Sequence, residues 1–93
     1  MRSIVSNTKA CYMCGRTSEL HKHHIFYGTA NRKVSEREGC WVYLCAHHHN
    51  LSKFSVHMNT SVDEWLKRKT QRIWEDKNGG REAFIRAFGK SYL

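Results

Sequence analysis

The sequence predicts one α+β domain, residues 1–93, in which a two-stranded hairpin is followed by helices. Two short runs rich in apolar, aromatic and β-branched side chains, Leu20–Phe26 and Trp41–Leu44, are typical of strands. After Ser61, apolar residues recur at the three- and four-residue spacing of helices. Six of the seven histidines lie in or shortly after the two strand-like runs. A domain this small buries only about 60–65 % of the surface of its unfolded chain, so bound metal ions would add stability.

Two cysteine-containing motifs predict a structural zinc site. Cys11-x-x-Cys14 is typical of a tight turn that presents two thiolates to one ion, although redox-active cysteine pairs share this spacing. The distant Cys45-x-x-His48 favours zinc, because the two motifs together have the spacing of paired zinc knuckles. The fourth cysteine, Cys40, is expected to be a buried free thiol.

The first strand, Leu20–Phe26, carries the adjacent histidines His23 and His24. Neighbouring side chains of a regular strand point to opposite faces, so both can serve one site only where the strand ends or bends. The break expected at Tyr27–Asn31 provides that bend. One of these histidines could instead make only a core hydrogen bond, an alternative with more weight for His21.

Residues 27–40 are polar and basic and include two glycines, and we expect a long connecting loop there. The second strand, Trp41–Leu44, pairs most simply with the first as an antiparallel hairpin. The polar residues 1–10 are expected to form a loose arm with a short strand at Ile4–Val5.

From His47 the pattern becomes helical and runs towards Phe54. Consecutive residues of a helix lie about 100° apart around its axis. One of His48 and His49 can therefore face the cysteines while the other faces the histidines of the first strand, so that two adjacent histidines serve two metal ions. On a continuous helix His57 would lie about 12 Å beyond His49. It is a third ligand if the chain bends back, and a surface histidine otherwise.

Two helices are expected after the hairpin. Ser61–Glu64 has the form of a capping box with Ser61 as the N-cap, and the helix that it opens runs to about Asn78. A short last helix, Arg81–Phe88, ends at Gly89. The apolar and aromatic side chains of both helices have the spacing of core residues rather than of a base-stacking surface.

The chain carries a formal net charge of +8 and has an isoelectric point near 9.6. Its basic groups are either solvated surface or a binding surface for a polyanion, and beside the metal motifs nucleic acid is the favoured partner. The residues predicted to contact it are Arg32, Lys33, Arg37, Lys53, Lys67 and Arg68. No run approaches the length of a membrane span or of a signal peptide, so we expect no membrane partner and a cytoplasmic protein.

The order of these motifs resembles that of the HNH endonucleases, the ββα-metal or His-Me finger family, in the subtype with zinc knuckles. The likeness rests on Cys-x-x-Cys, then strand-His-His-Ile, then strand-Cys-x-x-His-His. It covers residues 11–59, with residues 61–89 as C-terminal helical support. The small size and basic loop are similar to those of phage HNH proteins. The resemblance implies a ββα-metal hairpin-plus-helix core with a structural zinc ion, and metal-dependent hydrolysis of DNA.

Carried over to this sequence, the resemblance gives three catalytic residues, of which His24 is the general base that takes a proton from the attacking water. The other two, His23 and His49, match positions that hold the catalytic ion, with His57 as a third ligand if the chain bends. The structural zinc is matched by Cys11, Cys14, Cys45 and His48, where His48 replaces a cysteine. Such a Cys3His set is common for zinc.

Two positions depart from the family pattern. Cys40 falls at or near the middle asparagine of the family, for which Asn31 or Asn50 would have to substitute. Lys53 stands where many members have a further histidine, so the catalytic ion is held either with His57 or by two protein ligands with water and phosphate. Histidine-rich ligand sets suit Mn²⁺, Ni²⁺, Co²⁺ or Zn²⁺ at least as well as Mg²⁺, so the sequence does not specify the identity of the catalytic ion.

The resemblance favours a DNA endonuclease that nicks one strand or cuts both, in the minor groove, and leaves 5′-phosphate and 3′-hydroxyl ends. The alternative is a catalytically inactive, zinc-stabilised nucleic-acid-binding module. A structural two-zinc interaction domain is the third reading, and it predicts two tightly held zinc ions and no affinity for DNA. The family also implies phage packaging or processing proteins as partners, and it leaves the oligomeric state open.

Overall fold

A two-stranded antiparallel hairpin, β1 (Leu20–His24) and β2 (Trp41–Cys45), lies at the centre of the fold. The structure, a computed structural model, describes residues 1–51 and 55–93. Leu20 pairs with Cys45 and His24 pairs with Trp41, so the histidine-bearing strand ends beside the start of β2. Three of the five β2 side chains are fully or almost fully buried because the strand is covered on both faces. The predicted hairpin is confirmed.

The connection between the strands is a helix, not the loop that the sequence predicts. Thr29–Glu38 forms α1, which ends at Gly39. Gly39 has φ 75°, and a Cβ there would clash with the carbonyl oxygen of Arg2, so the position requires glycine. Within α1 only Ser35 is buried. The helix therefore has no apolar stripe, which is the signal by which a helix is recognised in a sequence.

The N-terminal arm is fixed to the hairpin and is not the loose segment that the sequence predicts. The Ile4 N–H donates to the carbonyl oxygen of Gly39 at 2.9 Å, and the Ser3 hydroxyl donates to the carbonyl oxygen of Trp41. Ile4 and Val5 do not form the short strand expected there. Their apolar side chains instead pack, partly buried, against the core.

The chain continues after β2 with a π-helical turn, His47–Leu51, and with two helices, α2 (Thr60–Asn78) and α3 (Arg81–Phe88). The continuation of the first of these segments to Phe54, which the sequence predicts as helix, lies outside the described residues. The N-cap of α2 is Asn59 rather than the predicted Ser61, since the Asn59 side chain accepts a hydrogen bond from the Val62 N–H at 3.2 Å.

The predicted ends of the last two helices are confirmed. Helix α2 ends at Gly79 and α3 ends at Gly89, and both glycines have the left-handed backbone conformation that is common after a helix. Trp74 of α2 and Phe84 and Phe88 of α3 are core residues, as the spacing predicts, but Trp65 of α2 is 43 % exposed, so the prediction is wrong for that residue. The ring centroid of Phe26, just after β1, lies 4.7 Å from that of Phe88 and 5.1 Å from that of Phe84. In the described part of the chain, no helix has the length and apolar character required to cross a membrane.

Cys40 is fully buried next to β2, as predicted for a free thiol. Burial raises the pKa of this thiol to about 12, so it stays protonated at neutral pH. We expect Cys40 to resist iodoacetamide at pH 8 in the folded protein, with no chelator added, and to react in guanidinium. Peptide mass spectrometry measures both rates. A rate for Cys40 in the folded protein equal to its rate in guanidinium would contradict the buried placement.

Candidate metal centres

The first candidate centre is built on a tight turn at the N-terminal cysteine pair. Gly15 has φ 81° and its N–H donates to the carbonyl oxygen of Cys11 at 2.8 Å. The Tyr12 N–H donates to the carbonyl oxygen of Tyr43 at 2.9 Å. The turn is thereby attached to β2, the strand that ends in Cys45. This attachment brings two segments that are distant in the sequence to one place.

Four donor atoms meet there, from Cys11, Cys14, Cys45 and His48, and all lie within 4.8 Å of one another. The sulfur atoms of Cys14 and Cys45 are 3.7 Å apart, and His48 Nδ1 lies 3.3 Å from the Cys45 sulfur. Tetrahedral zinc with bonds of about 2.3 Å to sulfur separates its sulfur ligands by about 3.8 Å. The thiols are not joined as disulfides. The cluster that the sequence predicts is compatible with a structural metal ion such as zinc.

Two opposed pKa shifts describe the electrostatics of this cluster. Burial raises the pKa of the Cys11 thiol, but hydrogen bonds from backbone N–H groups, that of Cys45 first, outweigh it and leave the pKa lowered. For Cys14 the backbone N–H of Arg16 lowers the pKa, yet desolvation and the neighbouring sulfur atoms outweigh it and leave the pKa raised. Thiolates this close repel one another, and a cation between them would remove the repulsion.

A second cluster lies on the other side of the π-helical turn and consists of His23, His49 and His57, whose donor atoms are also within 4.8 Å of one another. His49 Nε2 and His57 Nε2 are 3.1 Å apart. The chain bends back, as the ligand alternative for His57 requires, because the Val56 N–H donates to the carbonyl oxygen of His48 at 2.9 Å. His48 and His49 therefore face two different clusters.

The donor atoms of this second cluster fit a metal ion. His23 is 2 % exposed, and its Nε2 has no hydrogen-bond partner among the described residues. Such a buried, unpaired nitrogen costs stability unless something binds it. Burial, and then the neighbouring imidazoles, lower the pKa of His23 to about 3 and that of His49 to about 4, so both rings are neutral with a lone pair available. Two imidazole nitrogens bound to one tetrahedral zinc ion lie about 3.3 Å apart.

His21 lies beside this second cluster and contacts His49, whereas the sequence gives more weight to a core hydrogen bond for His21 than for its neighbours. The ring is exposed, and its Nδ1 lies 2.9 Å from His49 Nδ1. A histidine that binds metal through one nitrogen is usually held through the other. His21 can therefore hold His49 while His49 Nε2 faces His57. The signal was in the sequence, because His21 and His23 are two residues apart and share one face of a strand.

The predicted base, His24, lies beside the second cluster. Strand β1 ends at His24, so His23 and His24 line the same pocket of about 220 Å³, together with Arg32 and the two other histidines of the cluster. The His24 side chain is 13 % exposed, and its Nε2–H donates to Glu36 Oε1 at 2.9 Å. The sequence missed Glu36 because it lies on α1, which we expected to be a loop.

Three of the predicted nucleic-acid contacts share one face of α1. Arg32, Lys33 and Arg37 line a second, wider cleft of about 700 Å³, and His24 also lines it. Arg32 and His24 line both cavities, so the two are adjacent. We call this the α1 cleft.

The other predicted contacts lie elsewhere. The Lys67 side chain is 12 % exposed, and its ammonium pairs with Asp63 at 2.9 Å and lies over the Tyr27 ring. These contacts within the protein occupy the ammonium group, so Lys67 is not part of the proposed nucleic-acid surface. Arg68 is more exposed and lies 3.6 Å from Glu64 on α2. Lys53 lies outside the described residues.

The two clusters are thus separate sets of ligands on neighbouring elements, one rich in sulfur and one made only of imidazoles. The sequence motifs predicted the members of the first cluster and His23 and His49 of the second, and they left His57 open between a ligand and a surface residue. Comparison of the chain with protein family models, with curated proteins and with solved structures gave no match.

Proposed function

We propose that the protein is a metal-dependent DNA endonuclease of the HNH type, with a ββα-metal core. The observation that carries the proposal is one pocket in which the three-histidine cluster, His24 and Arg32 lie together. A protein with one structural zinc ion would need only the cysteine cluster, and it would have no use for a second set of ligands in which His23 Nε2 is buried without a partner among the described residues. Hydrolysis of a phosphodiester needs a base, a cationic side chain and an ion in one place.

In the proposed reaction His24 takes a proton from the attacking water, since an imidazole is a competent base near neutral pH. Arg32 is placed at the edge of the same pocket and binds a phosphate oxygen. A divalent ion held by His23, His49 and His57 would act as a Lewis acid that stabilises negative charge on the phosphate and on the departing 3′ oxygen. The products carry 5′-phosphate and 3′-hydroxyl ends.

The α1 cleft supports DNA as the substrate. Its three basic side chains, Arg32, Lys33 and Arg37, are on one helix face that leads to His24. Guanidinium and ammonium groups in such an arrangement bind the phosphate backbone. Zinc in the cysteine cluster would hold the N-terminal turn against β2 and keep His48, and therefore His49, in place.

One observation favours the second candidate function, a catalytically inactive zinc-stabilised module that binds nucleic acid. The Nε2 of His24 is already engaged by Glu36, so it is not free to take a proton from water. The module would keep the zinc and the basic face of α1 and would lack turnover.

Cleavage of supercoiled plasmid by the purified protein tests the proposal. We expect nicking that depends on added Mn²⁺, Ni²⁺, Zn²⁺ or Mg²⁺, and we expect His24→Ala to reduce its rate by about 10²–10⁴-fold, the usual contribution of a general base. Glu82→Ala changes an exposed residue of α3 that belongs to neither cluster, and this variant should cleave as the wild type does. Wild-type cleavage by a folded His24→Ala variant would refute the assignment of the base. Binding of DNA without cleavage in the presence of any of these metals would support the second candidate function, the inactive nucleic-acid-binding module.

A further inference from the structure

Glu36 is a carboxylate that faces His24 from the one helix that the sequence did not predict. Its Oε1 accepts the Nε2–H of His24 at 2.9 Å, and the Lys22 ammonium donates to both of its oxygens, each at 3.2 Å. Lys22 and His24 are two residues apart on β1 and so share a strand face, which they turn towards α1. Glu36 is therefore hydrogen-bonded to both Lys22 and His24.

The hydrogen bonds from His24 and Lys22 favour the ionised form of Glu36. The hydrogen bond from His24, and then that from Lys22, lower the pKa of the Glu36 carboxyl, although desolvation acts in the opposite direction. Glu36 is therefore an anion at neutral pH, and an ionised carboxylate can only accept hydrogen bonds. A neutral His24 must then carry its single proton on Nε2. The lone pair of the ring is left on Nδ1, which makes no hydrogen bond within residues 1–51 and 55–93.

We propose that Glu36 is a positioning residue, which fixes His24 in the Nε2–H tautomer and makes Nδ1 the atom that takes the proton from water. The inference rests on the proposed nuclease function and adds to it the basic atom and the residue that selects it. It also removes the objection that Nε2 is occupied, because the reacting nitrogen is the other one.

In the proposed step, water attacks phosphorus while His24 removes one of its protons. One O–H bond of the water breaks and its proton moves to His24 Nδ1, the water oxygen bonds to phosphorus, and the bond from phosphorus to the 3′ oxygen breaks. The 3′ oxygen takes a proton from solvent water, and the hydroxide that remains is neutralised when His24 Nδ1 returns its proton to solvent. The imidazolium that forms carries a positive charge next to the Glu36 carboxylate, which stabilises it. Glu36 itself stays ionised, with Lys22 as its second partner.

A measurement of the tautomer tests the inference without any need for activity. Long-range ¹H–¹⁵N correlation spectra of ¹⁵N-labelled protein distinguish the two neutral forms of an imidazole. In the wild type we expect His24 to be the Nε2–H form, and in Glu36→Ala we expect a mixture. Glu36→Gln places an amide beside the ring that can also donate to Nε2, and it should shift the population towards the Nδ1–H form. An Nδ1–H form in the wild type would overturn the inference.

Kinetics supply the second readout. With the metal-loaded protein and a plasmid substrate, Glu36→Ala and Glu36→Gln should lower kcat by about 10–100-fold, the range found for outer partners of a functional histidine. KM should not rise, because Glu36 lines the α1 cleft and the loss of its negative charge removes no attraction for the phosphate backbone. Glu36→Asp should restore part of the rate. Glu82→Gln, on the exposed surface of α3, is the matched control and should cleave as the wild type does.

The outcomes separate this inference from the proposed function. If the wild type cleaves and Glu36→Ala cleaves equally fast, Glu36 has no positioning role and the nuclease proposal stands. If the wild type cleaves in no metal, the nuclease proposal falls and the positioning role falls with it, whatever the tautomer. A loss of kcat together with a shift of the His24 tautomer, in variants that keep their fold, supports both.

Discussion

Cys14→Ser should destabilise the protein far more than Cys40→Ala, although Cys14 is exposed and Cys40 is fully buried. On packing alone the order would be reversed, because removing the buried Cys40 side chain leaves a small cavity that costs about 1–2 kcal/mol. Cys14 contributes a sulfur to the proposed zinc site, and binding of a structural zinc ion is worth about 10–16 kcal/mol in small domains. That range is comparable with the whole stability of about 5–15 kcal/mol that is usual for a domain.

Thermal unfolding followed by circular dichroism, with the zinc content measured by mass spectrometry, checks the order of the two variants. We expect Cys40→Ala to keep one tightly held zinc ion and to melt within about 10 °C of the wild type, by the usual conversion for a domain of this size. Cys14→Ser should lose zinc and its cooperative transition, and so should the wild type with a strong chelator. If the metal-free wild type melts at the same temperature as the zinc form, the cysteine cluster is not a structural zinc site.

His23→Phe should abolish metal-dependent cleavage while leaving the fold intact or more stable. The wild-type imidazole is 2 % exposed and its Nε2 is unpaired among the residues that the structure describes, a cost of about 1–3 kcal/mol that the metal ion would offset. Phenylalanine keeps a planar ring in the same place and has no polar atom to satisfy. Without metal at this cluster, we therefore expect the variant to be as stable as the wild type, or up to about 3 kcal/mol more stable.

Two measurements on the same protein preparation test His23→Phe. Titration calorimetry with Mn²⁺ or Ni²⁺ should show one exchangeable ion for the wild type and a loss of that binding for the variant, while the tightly held zinc ion stays. Urea unfolding gives the stability difference. A variant that still binds the exchangeable ion and cleaves plasmid would exclude His23 as a ligand. A variant that is much less stable than the metal-free wild type would mean that the imidazole has a structural partner instead.

All members of the two ligand clusters except His57 could be predicted, because the spacing within each motif is local. Two cysteines three residues apart in a tight turn, and consecutive histidines on a helical turn, have geometries fixed by the backbone over a few residues. The separation of His48 and His49 into different clusters follows from the same geometry. The hairpin and the last two helices could also be predicted from the sequence, because their apolar side chains recur with the period of a strand or of a helix.

Helix α1 could not be predicted in this way, and neither could the role of Glu36. Only Ser35 of α1 is buried, so no apolar periodicity marks the helix. Its position is fixed by contacts with other segments, such as the hydrogen bond from the Ser35 hydroxyl to the carbonyl oxygen of Phe26 at 2.7 Å. The contact of Glu36 with His24 spans twelve residues and exists only because this helix lies beside β1.

The sequence by itself determined the α+β class, the hairpin, the C-terminal helices and the residues able to ligate metal, because each depends on chemistry and spacing within a short stretch. Only the tertiary structure decided that His57 returns to His49, that His21 lies against His49, and that His24 is held by Glu36. These contacts join residues that are eight to twenty-eight positions apart. Their geometry is set by how whole elements pack, which no local pattern specifies.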